Sequence, residues 1–377
     1  MASKGLQGVV IGQTKLADID GDAGELIYVG YDIDDLAHHV SFEEVCFLLW
    51  NGRLPKQAEL TELQRQLGSQ RALRPEMLEL LRAFPRDADP MAALRTAVSA
   101  LGLYDSDADD ISDEALRRKS IFLTAQVPTL VATFHRLRSG AEPLPPRPEL
   151  GTAADFLYLL NGEEASATRV KTMDAALVLH AEHGMNASTF SARVTAGTKS
   201  DLYSAITSAI GTLKGPLHGG ANVEVMHMLR EIDESGVSPR EWVLRTLDEG
   251  GRVMGFGHRV YRAVDPRAKM LREMADEVMR ESGDAHWLEL SDQIRAVMDE
   301  EMQKRGKKIY PNVDFFSASV YTTLGIPMDL FSAVFAIARV SGWTAHLLEQ
   351  YANNRLIRPE SEYIGPRGLT VEPIAQR

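Results

Sequence analysis

Beyond residue 29 the sequence shows no alternation of strand-like and helix-like segments. A doubly wound α/β architecture is built from that alternation, so it is disfavoured. In its place, apolar side chains return three and four residues apart. Leu123, Val127, Val131 and Phe134 do so, as do Leu202, Ile206, Ile210 and Leu213, which is the spacing of one helical face. Further helical faces are read over 223–232, 266–281, 287–305 and 329–340. The punctuation agrees. Ser41 ahead of Glu43-Glu44 starts a helix that stops near Gly52 and Pro55, and Pro90 suits a first turn. Ser112 caps a segment that runs through Leu137 to Gly140, and Pro128 is expected to kink it. Four prolines between 142 and 149 mark a surface loop. Strand signals are confined to the start: Val9-Val10-Ile11 and Leu26-Ile27-Tyr28-Val29, with turn-rich residues 18–24 between them. No repeat of fixed period supports a solenoid. The expectation is an all-α chain with a small N-terminal β-ribbon, of a length (377 residues) that suits about two domains.

The net charge of −12 argues against general nucleic-acid binding, which needs a basic footprint. An anionic ligand must instead meet a local cluster of Arg, Lys or His. Cys46 is the only cysteine, so an intrachain disulfide and a cysteine metal cage are excluded. Its apolar neighbours Val45 and Phe47-Leu48-Leu49-Trp50 read as core. Met1–Thr14 carries no signal or transit pattern, and no apolar run approaches the roughly 20 residues of a membrane span. A cytoplasmic protein is expected.

Four stretches do not read as core. They are Lys214-Gly-Pro-Leu-His218-Gly-Gly-Ala-Asn222, then Gly255-Phe-Gly-His258-Arg-Val-Tyr-Arg262 with Asp265-Pro-Arg267, then Tyr310-Pro-Asn-Val-Asp314-Phe-Phe-Ser317, and His180-Ala-Glu-His183-Gly-Met-Asn186. Each has a bland reading: the glycine pairs as helix stops, a histidine beside glycine as a cap, Asp314 as a helix N-cap. Gly255-x-Gly257 lacks the rest of a dinucleotide fingerprint. On a helix His180 and His183, three apart, would share a face, but without an HExxH or cysteine pattern no metal is expected. Taken together, the stretches suit proton abstraction beside a carbonyl. An Asp set against Phe is a stronger base, and a His donating from a Gly-rich turn stabilises an oxyanion.

The first three of these stretches closely resemble the three catalytic motifs of the citrate synthase family, in order and in spacing: 40 residues from His218 to His258 and 56 from His258 to Asp314. Gly5-Leu-Gln-Gly-Val-Val, Gly30-Tyr-Asp-Ile-Asp-Asp-Leu-Ala and Met91-Ala-Ala-Leu-Arg-Thr-Ala-Val-Ser also look like that family, and the length matches its shorter, dimeric prokaryotic members. The resemblance implies a two-domain, multi-helical fold, with a small domain (222–327) inserted in a large one (1–221 and 328–377). It implies an acyltransferase of the tricarboxylic acid cycle that condenses acetyl-CoA with oxaloacetate, then hydrolyses the citryl thioester. Asp314 is then the base, His218 the donor to the thioester carbonyl and His258 the donor to the oxaloacetate carbonyl. His183, Arg267, Arg339 and Arg358 bind the substrate carboxylates, with Arg358 supplied across a homodimer. Residues Arg252, Val253, Met254, Gly255, Phe256 and Gly257 form the loop that meets coenzyme A, which enters as a co-substrate; no permanently bound cofactor is implied. The alternatives are a 2-methylcitrate synthase, acting on propionyl-CoA, and a non-catalytic helical scaffold. The polar set His218, His258, Asp314, Arg267, Arg339 and Arg358 is complete, which a scaffold would not require.

Overall fold

The computed structural model describes residues 4–6, 8–258, 260–283 and 285–377. A three-stranded antiparallel ribbon opens the fold: β1 (Ala17–Asp20), β2 (Glu25–Tyr28) and β3 (Tyr31–Asp32). β1 pairs with β2 in the register Ala17↔Tyr28 to Asp20↔Glu25. This corrects one sequence expectation. Val9–Ile11 is not a strand; Val10 is 87 % exposed. β-branched residues favour a strand only where a partner and a half-buried face exist. The true partner of β2 is Ala17–Asp20. The intervening turn closes through Gly24 N–H on the Asp20 carbonyl, with Asp20 Oδ1 accepting from Asp22 and Ala23.

Sixteen α-helices follow among the described residues. They are α1 (Ile33–His39), α2 (Phe42–Asn51), α3 (Gln57–Ser69), α4 (Pro75–Ala83), α5 (Pro90–Leu101), α6 (Asp113–Arg138), α7 (Thr152–Asn161) and α8 (Ala167–His180). Then come α9 (Ala187–Gly197), α10 (Leu202–Leu213), α11 (Ala221–Ser235), α12 (Pro239–Asp248), α13 (Pro266–Ser282), α14 (His286–Lys304), α15 (Val313–Thr323) and α16 (Phe331–Ala352). The chain is thus all-α apart from the ribbon.

The expected starts hold because their chemistry is local. Ser41 forms a reciprocal capping box with Glu44, Ser112 caps α6, and Pro90 opens α5. α6 continues unbroken through Pro128. Residues 142–149 carry no helix or strand, and Cys46 is buried. The run expected at 329–340 is longer: a 3-10 turn at Met328–Leu330 leads into α16, which continues to Ala352. By length and composition Met328–Ala352 could cross a membrane, but 94 % of its apolar window is buried inside the protein. It is the central helix, packed by α2, α6, α8, α9 and α10. Helices α11 to α15 pack largely on one another and meet the rest through α13 against α8 and α1, and α11 against α16.

Candidate active site

α8 delivers His180 at its last residue, and the chain then turns through Glu182, His183 and Gly184 before Asn186 caps α9. The Asn186 side chain accepts from the N–H groups of Ser188 and Thr189. His218 sits in the tight turn between α10 and α11. Its Nε2 accepts from Ser188 N–H (3.3 Å) and lies 2.8 Å from Ser188 Oγ, which in turn receives the Trp343 indole N–H at 3.1 Å. An imidazole nitrogen that accepts from a backbone N–H carries no proton, so the proton of neutral His218 is on Nδ1. Burial, and then Arg339, push its pKa down to about 4.

His258 has the opposite tautomer. Its Nδ1 accepts from Val260 N–H and Tyr261 N–H, both at 3.1 Å, which leaves Nε2–H as the donor. Burial, and then Arg267, bring it down to about 4 as well. The two histidines are therefore neutral hydrogen-bond donors at neutral pH, the form that polarises a carbonyl without first losing a proton. His183 packs at 5.5 Å, ring to ring, against His258, and its Nε2 is 3.3 Å from the Tyr261 hydroxyl. Burial holds His183 well below the usual imidazole range, with Arg267 adding to the effect.

Asp314 does not cap its helix. Asn312 does, accepting from Asp314 N–H at 3.1 Å, so the Asp314 carboxylate in the first turn of α15 is left for other work. Burial raises its pKa to about 6, against the lowering pull of Arg267 and Arg339. The first helical turn adds a further stabilising field for the carboxylate. Phe315 and Phe316 behind it are buried.

Asp265 caps α13 and grips Arg267 through Nε (3.0 Å) and Nη2 (2.9 Å), while its Oδ2 also accepts Val313 N–H. One buried carboxylate thus fixes a site arginine relative to the start of the helix that bears Asp314. Arg339, on α16, donates through Nε to the His180 carbonyl at 2.7 Å and lies over the Phe335 ring. No carboxylate stands within 4.0 Å of it among the described ion pairs.

The segment 252–257 is tied to the approach of α15. Asn312 N–H bonds the Gly255 carbonyl, Gly257 N–H bonds the Tyr310 carbonyl, and Phe256 stacks edge-on with Phe315 at 4.7 Å. Gly255 has φ +79°, and a Cβ there would come within 2.8 Å of Phe315 and Val225, so only glycine lets this loop close onto the helix. A cavity of about 180 Å³ lies beside it, lined by Gly257, His258, Arg262, Lys308 and Tyr310 among others.

The structure therefore gathers His183, His218, His258, Arg267, Arg339 and Asp314. Arg358 is not gathered. It is exposed in the extended tail, beside Ile357, whose backbone touches Gly197 at the far end of α9. Ser188 and Trp343 were not singled out from the sequence; Tyr261 and Asp265 lie in stretches that were, but with no role of their own. The Asp265-Pro266 pair carries an N-cap signal, and Asn186-x-Ser188 another, but neither announces its distant partner.

A nearly all-helical chain that carries a buried carboxylate of raised pKa, two neutral histidine donors and two buried arginines has the set of groups suited to proton abstraction beside a carbonyl on a carboxylate-bearing substrate. The family described as "Citrate synthase, C-terminal domain" matches residues 5–360. "Citrate synthase 2" of Bacillus subtilis is 51 % identical over 100 % of this chain and 99 % of its own length. "2-methylcitrate synthase 2" of Corynebacterium glutamicum is 41 % identical over 99 % of this chain and 97 % of its own. A ternary complex of citrate synthase from Thermoplasma acidophilum with carboxymethyl coenzyme A and oxaloacetate covers both chains in full, with TM-score 0.93 and 32 % identity. The chain belongs to the citrate synthase family and is an acyltransferase. The lower identity of the 2-methylcitrate synthase supports the citrate-forming reading over its propionyl-CoA alternative, and the scaffold alternative falls.

Proposed function

We propose that the chain condenses acetyl-CoA with oxaloacetate through an enol and hydrolyses the resulting citryl thioester, with the gathered residues in the following roles. Asp314 removes a methyl proton while His218 Nδ1–H donates to the thioester oxygen, giving the enol. His258 Nε2–H donates to the oxaloacetate ketone as the enol carbon attacks it. Water then cleaves the thioester, releasing citrate and coenzyme A. The observation that carries this reading is the pair of opposite, backbone-fixed tautomers on two neutral histidines, together with a buried carboxylate of raised pKa that shares Arg267 and Arg339 as electrostatic neighbours with them. A carboxylate is a poor base for a carbon acid, so a donor already in place on the carbonyl must lower the barrier in the same step.

His183, Arg267 and Arg339 hold the oxaloacetate carboxylates. Arginine suits this because its fork is bidentate and permanently charged. The 252–257 loop receives coenzyme A, a role supported by its contact with the start of α15 and by Arg262 and Lys308 in the adjoining cavity. Residues 222–327 form a small domain, a division supported by the mutual packing of α11 to α15. The active unit is a homodimer in the cytoplasm, with Arg358 entering the partner's site.

The test is thiol release with acetyl-CoA and propionyl-CoA side by side. One methylene in an apolar pocket is worth about 1–3 kcal/mol, so acetyl-CoA should lead in kcat/KM by roughly tenfold or more. Equal or reversed preference would return the 2-methylcitrate reading. The pH dependence follows from the same site. Asp314 must be ionised to act, and its pKa of about 6 lies above those of both histidines. At saturating oxaloacetate, kcat/KM for acetyl-CoA should rise between pH 5 and 7 through one ionisation near 6. A profile flat over that range would mean that Asp314 is not the titrating base.

A further inference from the structure

Glu182 immediately precedes His183, is fully buried, and has no role in the chemistry described above. Its Oε1 accepts from Gly184 N–H at 2.6 Å and from His346 Nε2 at 2.8 Å. His346 is also fully buried, on α16. Behind it, Arg193 of α9 donates through Nη1 to His346 Nδ1 at 3.1 Å, and through Nε to Gln350 at 2.9 Å. Arginine has no acceptor atom, so His346 Nδ1 accepts and its proton is on Nε2, aimed at Glu182. The direction of this three-residue chain is therefore fixed. The backbone of Glu182 is held as well: the Tyr28 hydroxyl of β2 lies 2.7 Å from the Glu182 carbonyl and 3.2 Å from its N–H.

The second oxygen, Oε2, is buried with no hydrogen-bond partner among the described residues. It rests against Gly342, where an added Cβ would overlap both Oε2 and the Ala181 carbonyl oxygen. Gly342 stands between Arg339 and His346, which are seven residues apart and so share one face of α16. Glu182 is thus the buried anion on the face that presents Arg339, yet it forms no contact ion pair with that guanidinium.

We propose that Glu182, aimed by His346 and Arg193, is a positioning residue for oxaloacetate capture. By binding Gly184 N–H it folds the turn that points His183 at His258. By standing near Arg339 without pairing with it, it offsets that buried cation while leaving the guanidinium for a substrate carboxylate. This rests on the assignment of His183 and Arg339 to oxaloacetate.

The experiment is calorimetric titration of oxaloacetate into the full-length enzyme without coenzyme A, paired with steady-state kinetics. Glu182→Gln should weaken oxaloacetate binding by roughly tenfold or more, the scale of a lost buried charge partner, while kcat at saturation falls far less. His346→Gln keeps an N–H donor for Glu182 and should bind oxaloacetate close to wild type; His346→Leu should reproduce the Glu182→Gln defect. Should Glu182→Gln fail to fold, the His346 pair decides the matter. Wild-type binding in Glu182→Gln, identical behaviour of the two His346 variants, or a loss confined to kcat would overturn the proposal. Arg339→Leu separates the two levels. If it weakens binding and Glu182→Gln does not, only the positioning role fails; if it leaves binding unchanged, the site assignment itself is wrong.

Discussion

Asp314→Asn is expected to lower kcat by roughly 10²–10⁴-fold, the range of a general base, while oxaloacetate binds almost as before. Asparagine matches the shape of the carboxylate but cannot accept the methyl proton. The groups proposed to meet oxaloacetate are anchored elsewhere, Arg267 on Asp265, Arg339 on the His180 carbonyl and His258 on its own backbone turn, so this change should not disturb them. Exchange of acetyl-CoA methyl protons with solvent, followed by NMR, should stop. His218→Ala should stop it too, and the double variant should lose far less than the product of the two single losses, because both act in one step. An Asn variant that still exchanges protons would remove Asp314 from its role.

The same variant has a stability consequence. The folded-state pKa of Asp314 is raised from 3.8 to about 6, so folding favours the protonated form. A raised pKa contributes stability below the unfolded value that is lost as pH rises through the folded one. Wild type should therefore lose stability relative to Asp314→Asn as pH climbs from about 4 to about 6. Above that the variant should be more stable by at most about 3 kcal/mol, read as a higher Tm. A Tm difference that does not change with pH would deny the raised pKa.

The parts of this site that were legible in the sequence are those whose chemistry is contiguous. His218, His258 and Asp314 each lie in a short run of Gly, Pro, Asn or Asp that no helical core would choose. Helix starts at Ser41, Pro90 and Ser112 were legible for the same reason, since a cap acts within three residues. What was not legible is long-range. Ser188 orients His218 from 30 residues away, and His346 meets Glu182 across 164. No local pattern specifies such a pair; the crossing of α8, α9 and α16 does. Val9–Ile11 failed as a strand because propensity names a candidate, and only a neighbouring edge makes it a strand. The helix cap that the bland reading assigned to Asp314 is supplied two residues earlier by Asn312, which accepts Asp314 N–H.

The position of Arg358 leads to the second large effect. Asn186 and Ser188, at the start of α9, touch the His218 site, whereas Ile357, next to Arg358, packs at Gly197 where α9 ends. A helix of this length spans about 15 Å, more than an arginine side chain reaches, which argues against Arg358 serving the site of its own subunit. The tail around it exposes apolar side chains: Leu356 at 57 %, Ile364 at 91 % and Val371 at 88 %. Surface of that kind is suited to burial against a second copy. In an isologous dimer each tail would enter its partner's cleft, twice over by symmetry. Arg358→Ala and Asp314→Asn homodimers should then each be nearly inactive. A mixed dimer holds one site with both lesions and one with neither. Random reassortment of equal amounts makes about half the dimers mixed, each with one intact site of two, so activity should return to about a quarter of wild type. The measurement is thiol release after joint unfolding and refolding, with mixed dimers confirmed by mass. If mixed dimers form and no activity returns, Arg358 does not act across the interface.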